Sequence, residues 1–185
     1  MEKPRKRRGR RAHLNDFHQN LTGEFVYTGA LCACTTPPAR QAVCRRRLWT
    51  LTALLLAAAV LGGCIPAPGM QNHFYVILPY LGELAFSVSV LWALVRLGRD
   101  WTAVREYVYE RTVPTLPHRA AGAAAFALIG AAAECVHLVL SGSGGQTLSA
   151  AVYLLLKLVS TLCALFIRRE IRLTNWDKVP KNPGC

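Results

Sequence analysis

Acidic residues are scarce in this chain: ten Asp and Glu among 185 residues, against 22 Lys and Arg. A carboxylate-bridged di-metal site, which takes several glutamates and two Glu-x-x-His motifs, is excluded by that count, since Glu134-x-x-His137 stands alone. Basic residues are missing from long stretches as well. No Lys or Arg lies between Arg47 and Arg96, and between Arg119 and Arg168 there is only Lys157. Apolar residues make up 52% and charged residues 17%, a balance that excludes an ordinary soluble chain. The first twenty residues lack the short apolar core of a secretory signal, so the first apolar run, starting at Leu48, is expected to be a retained anchor. The seven cysteines are odd in number and scattered, which argues against a disulfide framework. No Ser–His–Asp arrangement and no phosphate-cradling glycine loop is evident. Cys64 has no neighbouring cysteine with which to form a thiol redox pair.

What the chain has instead is four long apolar runs. Each is about the length needed to cross a ~30 Å hydrocarbon core as a helix. The expected spans are 48–65, 74–97, 120–141 and 148–167. The third is mostly alanine and is expected to insert only where partner helices receive it. Lys and Arg number eleven before the first span, five from Arg96 to Arg119 and five after the fourth, with none in the turns at 66–73 and 142–147. Basic residues mark the cytoplasmic side of a membrane protein. This alternation predicts an all-α integral membrane protein, an antiparallel four-helix bundle with both termini cytoplasmic and the two short turns outside. Arg45-Arg46-Arg47 and Trp49 are the expected interfacial anchors of the first span. A bacterial inner membrane is the default location.

The segments outside the spans divide into a basic tail over 1–47, the membrane domain over 48–167 and a basic tail over 168–185. The run of seven Lys and Arg between Lys3 and Arg11 is read as an arm held near anionic lipid headgroups, not as a nucleic-acid interface, because no aromatic interleaving accompanies it. Cys32, Cys34, Cys44 and His18 nominally make four zinc ligands, but their spacing matches no common zinc module. Asn20-Leu21-Thr22 is a formal glycosylation sequon on the wrong side of the membrane to be used. Trp101, Val104 and Val108 fall at helical spacing and predict a short amphipathic helix, ended by Pro114 and Pro117.

The halves of the chain look alike. Glu24-Phe25-Val26-Tyr27 recurs as Glu106-Tyr107-Val108-Tyr109, and each is followed by two prolines, an arginine and an apolar hairpin. A shift of 74 residues lays Phe74 on Leu148 and Glu83 on Lys157, as a parallel internal duplication would.

Four ionisable residues inside the apolar runs form the candidate site: Glu83, Glu134, His137 and Lys157. A charge at mid-membrane costs roughly 2.5–3.5 kcal/mol on insertion scales, so these residues are expected to find one another. Counted along ideal helices, Glu83 and Lys157 lie level, with Glu134 within a turn. Tyr80 and Ser87 share the Glu83 face, Ser141 shares that of Glu134 and His137, and Tyr153, Ser160 and Thr161 share that of Lys157. Ala123, Ala127, Gly130 and Ala131 let neighbouring helices approach Glu134. The first reading is a structural ion pair or triad that fixes helix register in a non-enzymatic accessory or assembly component. The second is a small proton-linked transporter reached from outside through His137. A metal site is disfavoured because Lys157 would repel the cation, haem has only His73 and His137 on one side, and no cofactor is expected. The expected partners are the bilayer, anionic headgroups, and a second copy or another membrane protein.

Overall fold

The computed structural model describes residues 17–19, 23, 25–27, 29–71, 73–98, 101–142 and 145–179, with the backbone alone at 17–19 and 25–27. The basic run before residue 12, the sequon and the His18 side chain lie outside the described residues. The elements in order are β1 (Phe17–Gln19), β2 (Phe25–Tyr27), β3 (Leu31–Cys34), α1 (Pro38–Cys64), a 3-10 turn (Pro68–Met70), α2 (Phe74–Leu97), β4 (Val104–Arg105), α3 (Glu106–Thr112), α4 (Leu116–Ser141), α5 (Thr147–Arg172) and β5 (Trp176–Val179).

The fold is mostly helical, and four helical segments are long and apolar enough to cross a membrane. Helix α2 has the expected bounds. Helix α1 begins ten residues before the expected span, with Pro38 at its first helical position, where a missing N–H costs nothing. Helix α5 runs on to Arg172, past the expected tail boundary.

The four long helices form a ring in which α1 packs on α2 and α5, and α4 packs on α2 and α5. Helices α2 and α5 face each other across the ring and each touches mainly α1 and α4. The interior mixes small and polar residues, among them Ala58, Ala59, Ala120, Ala123, Ala127, Gly130, Thr52, Ser87 and Ser160, with bulky ones such as Leu48, Leu55, Val90, Leu116 and Ile167. Many other bulky apolar residues point outward, among them Leu54, Leu61, Leu78, Trp92, Val139, Leu155 and Leu158. That much outward-facing apolar surface is unlike a water-soluble chain, and the small residues suit helices that meet through close backbone approach.

Helix α4 is apolar enough to span a membrane, with alanine largely in place of bulky side chains. It is seated by a reciprocal notch. Phe86 lies over Gly122 and Phe126 over Gly82, so that a Cβ at either glycine would meet the opposite ring. The two rings stack at 5.5 Å. Both halves of this contact are a Gly-x-x-x-Phe spacing, Gly82 to Phe86 and Gly122 to Phe126. Nearer the sheet, the Arg119 guanidinium donates to the Ser89 carbonyl oxygen at 3.0 Å.

At one end of the ring a three-stranded antiparallel sheet of order β4-β3-β5 ties together the approach to α1, the middle connection and the exit from α5. The expected helix over Trp101–Val108 is corrected here. Val104 and Arg105 pair with Cys32 and Leu31 as a strand, and the helix begins only at Glu106. Pairing with β3 overrides the local helical spacing, because the buried Trp101 ring packs on Trp176 at 5.6 Å. Cys34 N–H also donates to the Trp101 carbonyl oxygen at 2.9 Å. Lys178 bridges to Glu106 across the sheet.

The 74-residue shift has a structural counterpart. It carries α2 onto 148–171, almost the whole of α5, and it carries buried Val76, Pro79, Glu83, Ser87, Val90, Ala93 and Leu97 onto buried Ala150, Tyr153, Lys157, Thr161, Ala164, Ile167 and Ile171. It also pairs Leu31 with Arg105, which are directly opposite in the sheet.

Candidate functional site

Glu83 on α2 and Lys157 on α5 meet in an ion pair, with their side chains 0% and 1% exposed. The pair therefore spans the middle of the ring between helices that are not neighbours. All four long helices enclose it. The Lys157 ammonium lies 4.9 Å from the centroid of the Tyr80 ring and 4.7 Å from that of Tyr153. A Cβ on Gly62 of α1 would stand 3.8 Å from the Lys157 nitrogen, and one on Gly130 of α4 would stand 3.8 Å from its Cε and 3.6 Å from the Tyr153 hydroxyl. These are ordinary contact distances, so both glycines line the pair closely without being required for room.

The hydroxyls beside the pair bond backward along their own helices. Ser87 Oγ donates to the Glu83 carbonyl oxygen at 2.7 Å, and Thr161 Oγ1 donates to the Lys157 carbonyl oxygen at 2.8 Å. Each satisfies a buried hydroxyl within its own helix. These two residues are also equivalent under the 74-residue shift.

Glu134 is buried, but it does not join the ion pair as a hydrogen-bonded third member. Its Oε1 accepts the Gly69 N–H at 3.2 Å. Gly69 belongs to the 3-10 turn between α1 and α2, which folds back onto α4 and buries Ala67 and Gly69. A Cβ at Gly69 would overlap the Glu134 carboxylate, so this close approach requires glycine. One apolar turn thus closes the end of the ring over the second acid.

His137 lies one turn beyond Glu134 on α4. Its Nδ1 is 2.8 Å from the Tyr75 hydroxyl, and its ring is 4.5 Å from that of His73. Ser141, expected on the same face, is exposed, because α4 ends there and Gly142 turns the chain away with φ 73°. Tyr153, Ser160 and Thr161 are buried, and Tyr80 is half-buried. Ala123, Ala127 and Gly130 are buried, and Ala131 is half-buried.

Several buried polar atoms of the cluster have no hydrogen-bond partner among the described residues: Glu83 Oε1, Glu134 Oε2, the Tyr153 hydroxyl and Ser160 Oγ. Among the described residues no group of three or more His, Cys, Asp or Glu side chains is placed to hold a metal ion. Cys32 and Cys34 lie on β3, and Cys44 is buried on α1. Gly69, Gly62, Tyr75 and His73 were not among the expected cluster members. The signal for Gly69 was the proline-flanked turn Pro66-Ala67-Pro68-Gly69.

Comparison of the chain with protein-family models, with curated proteins and with solved structures returned no match.

Proposed function

We propose that the chain is a multi-pass membrane protein of up-down-up-down topology with both ends in the cytoplasm, serving as a non-enzymatic accessory or assembly component. The observation that carries this reading is the Glu83–Lys157 ion pair, buried between two helices that face each other across the ring. A charge pair in that position fixes the rotation and height of α2 and α5 and offers nothing to solvent. The topology draws support from the α2–α4 contacts, where Tyr75 meets His137, Gly82 meets Phe126, Phe86 meets Gly122 and Ser89 meets Arg119, in opposite order along the two helices. The orientation rests on the basic residues gathered around the sheet end and absent from the two turns at the other end. The proposed location is a plasma membrane, the inner one in a bacterium.

A second reading, a small proton-linked transporter, has its own support. Glu83 and Glu134 each keep one oxygen without a partner, the Tyr153 hydroxyl is likewise unpartnered, and Glu134, His137, Tyr75 and His73 follow one another toward the turn end. Proteoliposomes loaded with a pH dye separate the two. The structural reading expects an imposed pH gradient to decay as in empty liposomes, with no change in Glu134→Gln. Decay faster than in empty liposomes that Glu134→Gln abolishes would overturn it in favour of transport.

A further inference from the structure

A cleft of about 540 Å3 opens between the sheet-end portions of α1 and α5. Three arginines line it, Arg40 and Arg47 from α1 and Arg169 from α5. The one carboxylate in its lining, Glu170, pairs with Arg47 at 3.1 Å. Arg40 and Arg169 make no hydrogen bond or ion pair among the described residues. Three positive charges against one negative leave the cleft cationic.

The rest of the lining is graded with depth. Along α1, Leu51 lies eleven residues, or ~16 Å, further into the ring than Arg40. On α5, Phe166 lies nearly a turn further in than Arg169. Val43 adds apolar surface between them and Leu173 stands beyond the end of α5. The exposed Trp49 ring, suited to the headgroup layer, sits on α1 beside this level. The cleft thus presents the Arg40 guanidinium at its outer end, the Arg169 guanidinium about level with Arg47, and apolar residues at its inner end beside the start of the expected span.

We propose that this cleft is a binding site for one anionic phospholipid, whose phosphate is held by Arg40 and Arg169 and whose first acyl carbons lie along Leu51 and Phe166. Guanidinium is the side chain best matched to a phosphate, with paired N–H donors in a fixed plane. The apolar wall selects a lipid over a free anion. The proposal rests on the membrane reading above and goes beyond a general attraction of basic tails to headgroups, because it names a seat between two helices.

The test uses the full chain in neutral detergent, titrated with dioctanoyl phosphatidylglycerol and followed by native mass spectrometry. Dioctanoyl phosphatidylcholine and inorganic phosphate serve as comparison ligands. The expected result is one saturable phosphatidylglycerol, with phosphatidylcholine and inorganic phosphate each about tenfold weaker or more. Loss of charge-assisted contacts in the double variant Arg40→Gln/Arg169→Gln weakens phosphatidylglycerol binding by about tenfold or more. The double variant Arg46→Gln/Arg172→Gln removes the same charge from exposed positions outside the cleft and stays within about threefold of the parent. Equal losses in the two variants would overturn the proposal in favour of a diffuse surface field. So would parity between phosphatidylglycerol and phosphatidylcholine in the unaltered chain, or inorganic phosphate binding as tightly as the lipid. Carbonate washing of native membranes separates the two levels of the argument. A chain released by the wash overturns the membrane reading and this site with it, whereas a retained chain indifferent to headgroup charge overturns the site alone.

Discussion

Replacing Glu83 by Gln, Lys157 by Met, and both together is expected to give two unstable single variants and a recovered double. Removing one member of a buried ion pair leaves the other charge without a partner, at a cost of about 3–5 kcal/mol. The two exchanges are not equivalent. In Glu83→Gln the Lys157 ammonium keeps the Tyr80 and Tyr153 rings, 4.9 and 4.7 Å away, and each ring face offsets about 0.5–2 kcal/mol. Lys157→Met leaves the Glu83 carboxylate without its one ion-pair partner among the described residues, so it is expected to be the worse single. An ordinary interhelical hydrogen bond in a membrane contributes about 0.6 kcal/mol. For a chain of this size 1 kcal/mol moves Tm by about 2–4 °C. The ion pair therefore predicts a fall of about 10 °C for Lys157→Met, where an ordinary hydrogen bond predicts about 2 °C. The double variant, which buries a neutral amide in place of a lone charge, is expected to recover at least about half of that fall. The assay is thermal melting of the detergent-solubilised protein, read by tryptophan fluorescence and by retention of the monodisperse peak. Single variants within about 2 °C of the parent, or a double as low as the worse single, would refute the reasoning.

The glycine contacts and the cysteines carry three further predictions. Gly69→Ala and Gly82→Ala place a Cβ against the Glu134 carboxylate and, at 2.5 Å, the Phe126 ring, and overpacking of that kind costs about 1–3 kcal/mol. Gly62→Ala, whose Cβ stands 3.8 Å from Lys157 Nζ, is expected to melt within about 2 °C of the parent; equal losses in all three would sink the packing argument. The exposed Cys64, the last residue of α1 at its turn end, is expected to react with an impermeant maleimide added to intact cells, while Cys32, buried in β3, is protected; labelling of Cys64 only from the cytoplasmic side would invert the topology. Burial, and then the Glu106 carboxylate, push the Cys32 thiol above its ordinary value of 9.0. The folded chain then holds that proton more tightly than the unfolded one, so the stabilisation is complete below pH 9.0 and falls away as pH rises through the raised value, visible as melts that weaken on the alkaline side in the parent but less in Cys32→Ala.

The helices were legible because lipid demands long apolar runs, and nothing local competes with that demand. Glu83 and Lys157 were legible as a pair because a lone charge inside such a run has few places to go, and counting along two helices put them at one level. Glu134 was legible as buried, yet its partner was not, because the donor is a backbone N–H in a turn whose inward fold leaves no charge or periodicity behind. The sheet was the larger omission. Strand β3 is four residues and β4 only two, and their pairing joins positions more than seventy residues apart. Trp101, Val104 and Val108 do lie at helical spacing, and only the contact of Trp101 with Trp176 shows why the backbone there is extended.

On the proposed reading, the many alanine and glycine contacts between these helices give a costly ion pair a structural role. Helices that meet through alanine and glycine approach closely, but their surfaces are smooth and hold rotation and height weakly. Between α2 and α4 the Phe86–Gly122 and Phe126–Gly82 notches supply the missing register. Between α2 and α5 no such notch is available, since the two helices touch mainly α1 and α4. The Glu83–Lys157 pair reaches across that gap, while the sheet ties the exit of α5 to the approach to α1 at one end and the Gly69 turn grips α4 at the other. Without the pair, α5 keeps its neighbours but loses its ion pair to the opposite wall. On the proposed structural reading, the desolvation of the charges is offset by the register they specify between α2 and α5.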